Sequence, residues 1–348
     1  MAQQQTRNKE VIFASRPKDR PTENNFRLQD CDYPRLTKDG QAHAPPMHTI
    51  IVGSHFKLMT EVNSYTKPYE EGQPMYGDTI AKVIDSRNNN FNKGDYVMGM
   101  LNWRLFDVIS PEMFKPRFVQ KLDTKGLPLD VNLGLLGMTG WTAYFGLNHK
   151  GKPKQGETVV VSAATGAVGM VVGQLAKIKG CRVIGIAGGT EKVRVVKEEY
   201  GFDDCVDYKK AGDRLSDELK RACPEGIDLF WDGVGGPTLD AVLENLKVGG
   251  RVVSCGCISS YNNPQPIYKN WLFVAKRGLL VYDYFDRVEE ARTELARLYK
   301  EGHIKYKTTI SHGLEESVPT LLGLFEGKNV GKAIVEICKD TPSGAAGL

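Results

Sequence analysis

The run Thr158-Val159-Val160-Val161-Ser162-Ala163 leads directly into Ala164-Thr165-Gly166-Ala167-Val168-Gly169. Apolar residues then recur at three- and four-residue steps. A buried strand, a glycine turn and an amphipathic helix in that order make a cradle for a phosphate. At Gly166 the missing side chain lets backbone N–H groups approach a pyrophosphate, and the helix start supplies positive potential for its charge. Gly169 permits close packing of helix on strand. Ala164 stands where the pattern has its first glycine, which costs little at negative φ. A glycine motif alone is a weak signal. Set inside a β-α-β unit of about thirty residues it predicts a Rossmann-type dinucleotide site.

Two further groups refine that site. An NAD-type site places an acid at the end of the second strand to hold the ribose 2′-hydroxyl. Here that position reads Ala187-Gly188-Gly189-Thr190-Glu191-Lys192. Small residues followed by Lys192 suit the extra 2′-phosphate of NADP(H), with Glu191 as a cap for the helix start. Farther on, Cys255-Gly256-Cys257-Ile258-Ser259-Ser260-Tyr261 follows an apolar strand. The carboxyl ends of strands are where such a sheet binds its ligand, and Gly256 and Ser259 let the backbone lie against the nicotinamide.

These residues need a scaffold. Residues 1–30 read as an irregular, polar lead-in. From about 31 to 120, short β-like runs such as HTIIVGSHF, GDTIAKVIDS and GDYVMGML alternate with Gly, Pro and Asn. That spacing predicts a small β-rich module. Residues 131–149 carry helical spacing. Strands and helices then alternate through RVVSCGCIS, with Cys255 and Cys257 read as opposite faces of a strand and PTLDAVLENLKV as a helix. Such alternation predicts a parallel sheet covered on both faces. A charged helix over 286–302 and a strand–helix–strand set follow. The expected fold is α/β: a doubly wound Rossmann sheet plus a GroES-like β-rich catalytic domain. Its boundaries are 1–125 for the catalytic domain, 126–285 for the nucleotide domain, 286–340 for a segment returning to the first, and 341–348 for a disordered tail.

Composition excludes other classes. The 46 basic and 42 acidic residues are interleaved and leave a net charge of +4, too mild to imply nucleic acid or a membrane surface. No apolar stretch reaches the roughly 18 residues of a membrane span, and the polar start lacks a signal peptide's apolar run. Seven scattered cysteines fit reduced thiols in the cytoplasm. Six dispersed histidines and the absence of C-x-x-C argue against a metal site.

The strings AATGAVGMVVGQLAKIKGCRVIGIAGGTEKV, DGVGG, CGCISSYN, GLEESVPTLLGLFEGKNVGKAIV and RNKEVIFASRPKDRPTENNFRL resemble the zinc-independent medium-chain dehydrogenases/reductases. The likeness is greatest to the group of prostaglandin, plant double-bond and bacterial curcumin reductases. It implies NADPH-dependent reduction of the carbon–carbon double bond of an α,β-unsaturated ketone or aldehyde, and a homodimer. It implies that Lys192 meets the 2′-phosphate beside Tyr208. It further implies that Gly188, Cys255, Gly256, Ile258, Tyr282 and Asn329 line the cofactor, and that Tyr261 donates a hydrogen bond or proton near the substrate. Gly233 replaces the cofactor-side Asn of D-N-V-G-G, and Thr139 replaces the Pro of M-P-G. The L-S-x-D-P-Y-M-R string is gone from 51–59, leaving His55, Phe56 and Lys57 as candidate substrate contacts. These departures keep two alternatives open: another zinc-independent reductase, of quinone, iminium or alcohol/ketone, or a non-catalytic NADPH-binding protein.

Overall fold

The computed structural model describes residues 7–44, 46–50, 58–59, 68–113, 119–261 and 279–338. The chain forms two units, one of Met1–Leu133, Thr309–Glu326 and Ala333–Leu348, the other of Gly134–Thr308 and Gly327–Lys332.

The first unit is β-rich. It opens with β1 (Asn8–Phe13) and β2 (Phe26–Cys31), an antiparallel pair. The expectation of an irregular lead-in is therefore corrected. Polar residues hid this pairing, because Asn8 and Glu10 are buried with partners found only in the fold. Asn8 Nδ2 donates to Phe106 O at 3.0 Å, and Glu10 pairs with Arg104. Next come β3 (Ala42–Ala44), β4 (Pro46–Ile50), β5 (Tyr76–Lys82), β6 (Asp85–Ser86), β7 (Tyr96–Asn102), β8 (Asp107–Ile109), β9 (Val119–Lys121) and the short helix α1 (Leu129–Leu133). The QAHAPPMH stretch forms strands without a bulky apolar run, since Ala42 and Ala44 are fully buried against Val83, Val97, Leu101 and Ile109.

The second unit is the doubly wound sheet. Helix α2 (Met138–Phe145) continues as a wider π-type turn to Gly151, and the break before it divides the helix expected over 131–149. Strand β10 (Thr158–Val161) leads to α3 (Gly169–Ile178), β11 (Arg182–Ala187), α4 (Thr190–Arg194), β12 (Asp204–Asp207), α5 (Tyr208–Ala211), α6 (Leu215–Ala222), β13 (Ile227–Asp232), α7 (Gly236–Leu243), β14 (Leu246–Ser254) and α8 (Val288–Lys300). The strands pair in parallel in the order β12-β11-β10-β13-β14, so the sequence winds outward both ways from β10. Val159, Val160 and Val161 are all fully buried, as a central strand covered on both faces requires. The helix read through LENLKV ends at Leu243, and Leu246–Val248 joins the edge strand instead. Cys255 and Cys257 lie beyond that strand's end, so they do not face opposite sides of the sheet.

The chain then gives β15 (Thr308–His312), α9 (Ser317–Phe325) and β16 (Lys332–Glu336). Strands β15 and β16 extend the antiparallel sheet of the first unit, ordered β15-β16-β4-β5-β7-β9, while β6-β3-β8 form a smaller one. The DTPSGAAGL tail lies outside the described residues.

Candidate functional site

The turn after β10 is built from backbone. Ala163 takes a left-handed conformation (φ 47°), so the reversal falls one residue before Ala164, whose φ is negative. Gly166 N–H then donates to Ala163 O at 2.8 Å, and Met170 N–H to Gly166 O at 3.0 Å. A Cβ at Gly169 would overlap Ala163 O, so only glycine brings the helix this close to the strand end. Among the described residues, the N–H groups of Ala167 and Val168 meet no protein acceptor. Two unbonded amides at a helix start suit an anionic oxygen.

A strap from late in the chain closes on this turn. Gly331 N–H donates to Thr165 O at 2.9 Å, and Gly166 and Gly331 form a parallel bridge. Asn329 Nδ2 donates to Gly331 O at 2.7 Å, which shapes the strap. Lys192 Nζ donates to Gly327 O at 2.6 Å. The strap thus links Thr165, Gly166, Lys192 and Asn329. Gln174, which sequence reasoning missed, helps hold this arrangement. Its Nε2 donates to Met170 O and Lys305 O, and its Oε1 accepts from Lys305 N–H, each at 2.8 Å.

The phosphate-reading candidates form a second group. Glu191 does not cap α4, because its carboxylate faces Arg194 at 2.7 Å and Gly189 is the capping residue. Lys192 is half-buried and, among the described residues, has no carboxylate partner. Burial first, and then the nearby Lys209 charge, hold its ammonium below the ordinary lysine range. The Tyr208 ring lies over Gly188, where a Cβ would come within 2.6 Å of it. Asp207, also missed, explains that placement. Its Oδ1 accepts from Gly189 N–H at 2.9 Å and from Lys209 N–H at 3.1 Å, tying the loop after β11 to the first turn of α5. An acid at a strand end before a helix was the legible signal.

The third group surrounds Asp232. Burial raises its carboxyl above the usual range, yet its Oδ1 accepts N–H bonds from Val234 and Gly235, both at 2.9 Å. Its carbonyl accepts from Cys255 at 2.7 Å and Gly256 at 3.1 Å. Gly233 N–H donates to Ser162 Oγ at 2.9 Å, and a Cβ at Gly233 would meet open space. Gly256 packs on the Gly233 carbonyl, where a Cβ would come within 2.9 Å. Cys255, Gly256, Ile258 and Gly233 are thereby brought together. Tyr261 closes the same loop, its hydroxyl accepting from Cys257 N–H at 3.4 Å. Tyr282 has a different setting, its ring stacked on Phe285, which in turn meets Trp141 edge-on. His55, Phe56 and Lys57 lie outside the described residues.

Two family models match the chain: "N-terminal domain of oxidoreductase" over residues 9–116 and "Zinc-binding dehydrogenase" over residues 167–298. Among the described residues no group of three or more His, Cys, Asp or Glu could hold a metal ion. The NADPH-dependent curcumin reductase of Escherichia coli is 37% identical over 98% of this chain and 100% of its own length. The NADP+-dependent 2-alkenal reductase of Nicotiana tabacum is 42% identical over 80% of this chain and 81% of its own. The crystal structure of CurA from Vibrio vulnificus in complex with NADPH superposes with a TM-score of 0.86 at 35% identity, covering 95% of this chain and 99% of that one.

Proposed function

Because the chain belongs to the zinc-independent medium-chain dehydrogenases/reductases, in their double-bond reductase group, we propose that it reduces the carbon–carbon double bond of α,β-unsaturated ketones or aldehydes with NADPH. The observation that carries this reading is Lys192, a half-buried ammonium with no carboxylate partner among the described residues, bonded to the strap that is itself bonded to the glycine turn.

The residues present fit that cofactor. Ala167 and Val168 N–H groups would hold the pyrophosphate, and Lys192 with Tyr208 would receive the 2′-phosphate. Gly233, where a Cβ would meet open space, leaves room for the nicotinamide, beside Cys255, Gly256, Ile258 and Asn329. Tyr282 enters this reading as a cofactor contact through the family resemblance. Bound there, NADPH supplies the hydride for the β-carbon. Negative charge then grows on the carbonyl oxygen of the substrate, where a positioned hydroxyl stabilises it, and a proton from water or a hydroxyl goes to the α-carbon to complete the reduction. Tyr261 is the donor this reading assigns, with His55, Phe56 and Lys57 as substrate contacts. The parallel-sheet unit takes the cofactor role and the β-rich unit the substrate role.

We also infer a homodimer working in the cytoplasm. The family resemblance supports the first, and seven free thiols fit the second.

The test mixes the purified protein with NADPH and a panel of small and lipid-derived enones, following loss of reduced-nicotinamide absorbance, with NADH alongside. Turnover with NADPH and much slower turnover with NADH is the expected outcome. Equal use of both removes Lys192 as the phosphate reader. Bound NADPH without turnover on any enone overturns the double-bond reductase reading in favour of a changed substrate or a binding protein.

A further inference from the structure

Basic side chains crowd the elements around β11 and β12, and most are occupied. Arg194 serves Glu191, Glu198 and Glu199 at 2.7–3.1 Å. Lys197 pairs with Asp204 at 3.0 Å, Lys177 with Asp203 at 2.7 Å, and Lys307 with Glu199 at 2.6 Å. Lys192 and Lys209 stand apart. Neither has a carboxylate partner among the described residues, nor does Lys210, and of the two neighbours it is the Lys209 charge that reaches Lys192. Two like charges brought together without a counter-ion are unfavourable, and a dianion between them reverses the sign.

The backbone shows that their proximity is built. Asp207 Oδ1 binds Gly189 N–H on one side and Lys209 N–H on the other, with Lys210 N–H at 3.4 Å. That clamp fixes the loop preceding Lys192 against the turn carrying Tyr208 and Lys209. The Tyr208 ring covers Gly188 between them.

We infer that Lys209 is a second reader of the cofactor's 2′-phosphate, set opposite Lys192 by the Asp207 clamp. This rests on the NADPH reading above. Lys192, half-buried and bonded to the strap, is the fixed contact. Lys209 is exposed, so it adds a weaker and salt-sensitive share of the preference for NADPH over NADH.

The test is direct binding, read from nicotinamide fluorescence with NADPH and with NADH, on the intact protein and on Lys209→Gln, Lys209→Arg, Lys210→Gln and Lys192→Ala. Lys209→Gln is expected to weaken NADPH about two- to fivefold, as an exposed charge contact allows, and to flatten its salt dependence. NADH binding stays unchanged, Lys209→Arg restores NADPH, and Lys210→Gln matches the parent. A Lys209→Gln protein that binds both cofactors as the parent does, or loses both equally, overturns the second reader. In that case the parent still prefers NADPH and Lys192→Ala still abolishes the preference, so the cofactor reading survives. A parent with no preference for NADPH overturns the cofactor reading itself.

Discussion

Lys192 shows how one side chain acquires a role from its surroundings. Its neighbours on and just after α4 are paired with each other, through Glu191, Arg194 and Glu198. Lys192 turns instead to a backbone carbonyl of the strap, Gly327 O. Burial and Lys209 both disfavour its ammonium in the free protein, so its pKa lies below the ordinary value. A 2′-phosphate favours the charged form and raises that pKa. NADPH affinity should therefore be flat below the depressed pKa and fall as pH climbs through it, before the value near 10.4 of an ordinary lysine. NADH, which lacks the phosphate, should not follow. Titrating both dissociation constants from about pH 7 to 10 checks this; parallel curves would exclude Lys192 from phosphate binding. Ala163 is another residue whose role the fold assigns. It bears the left-handed turn without being glycine, a cost of about 1–2 kcal/mol that the surrounding hydrogen bonds offset.

At the scale of elements, helix α3 sets the geometry of the nucleotide turn, and it is held by close approach on two sides. Gly169 meets the strand end, and Gly173 meets the ring of Phe202. Helix propensity alone says that Gly173→Ala gains about 1 kcal/mol. Packing says otherwise, since a Cβ there would overlap the ring and overpacking a core costs about 1–3 kcal/mol. Packing should win, because Phe202 is itself buried and has little room to give. The expected result is a lower urea or thermal midpoint for Gly173→Ala. A higher one would mean that the ring relaxes freely. The strap is the second element of consequence. Its N–H bond from Gly331 to Thr165 O joins a late segment to the turn that begins the sheet.

Across the whole molecule, the chain leaves the β-rich unit after Leu133, returns at Thr309, departs again for Gly327–Lys332 and comes back at Ala333. Each unit therefore needs distant parts of the chain, and neither corresponds to one continuous piece. The six-stranded sheet shows this within one unit, where β16 pairs with β4 at Ile334 and Ile50. The proposed homodimer is tested at this scale. Light scattering on the purified protein should give twice the chain mass over a wide dilution range; a single-chain mass at working concentration would rule the dimer out.

The sequence by itself determined the contiguous parts. A valine-rich β10, a glycine turn and an amphipathic α3 are neighbours along the chain, so their spacing alone implied a strand, a phosphate cradle and a helix. The absent acid after β11 and the presence of Lys192 were equally local. Tertiary structure decided the rest. The hairpin of β1 and β2 was hidden because its inward Glu10 is satisfied by Arg104, 94 residues away. Lys192 reaches Gly327 across 135 residues. Asp207 and Asp232 looked like ordinary strand-end acids until their backbone partners were in place. The reason is physical: propensity and periodicity act between near neighbours in the chain, whereas Coulomb and hydrogen-bond energies depend on distance in space. Which charges are occupied and which remain for a ligand is fixed only when the chain has folded.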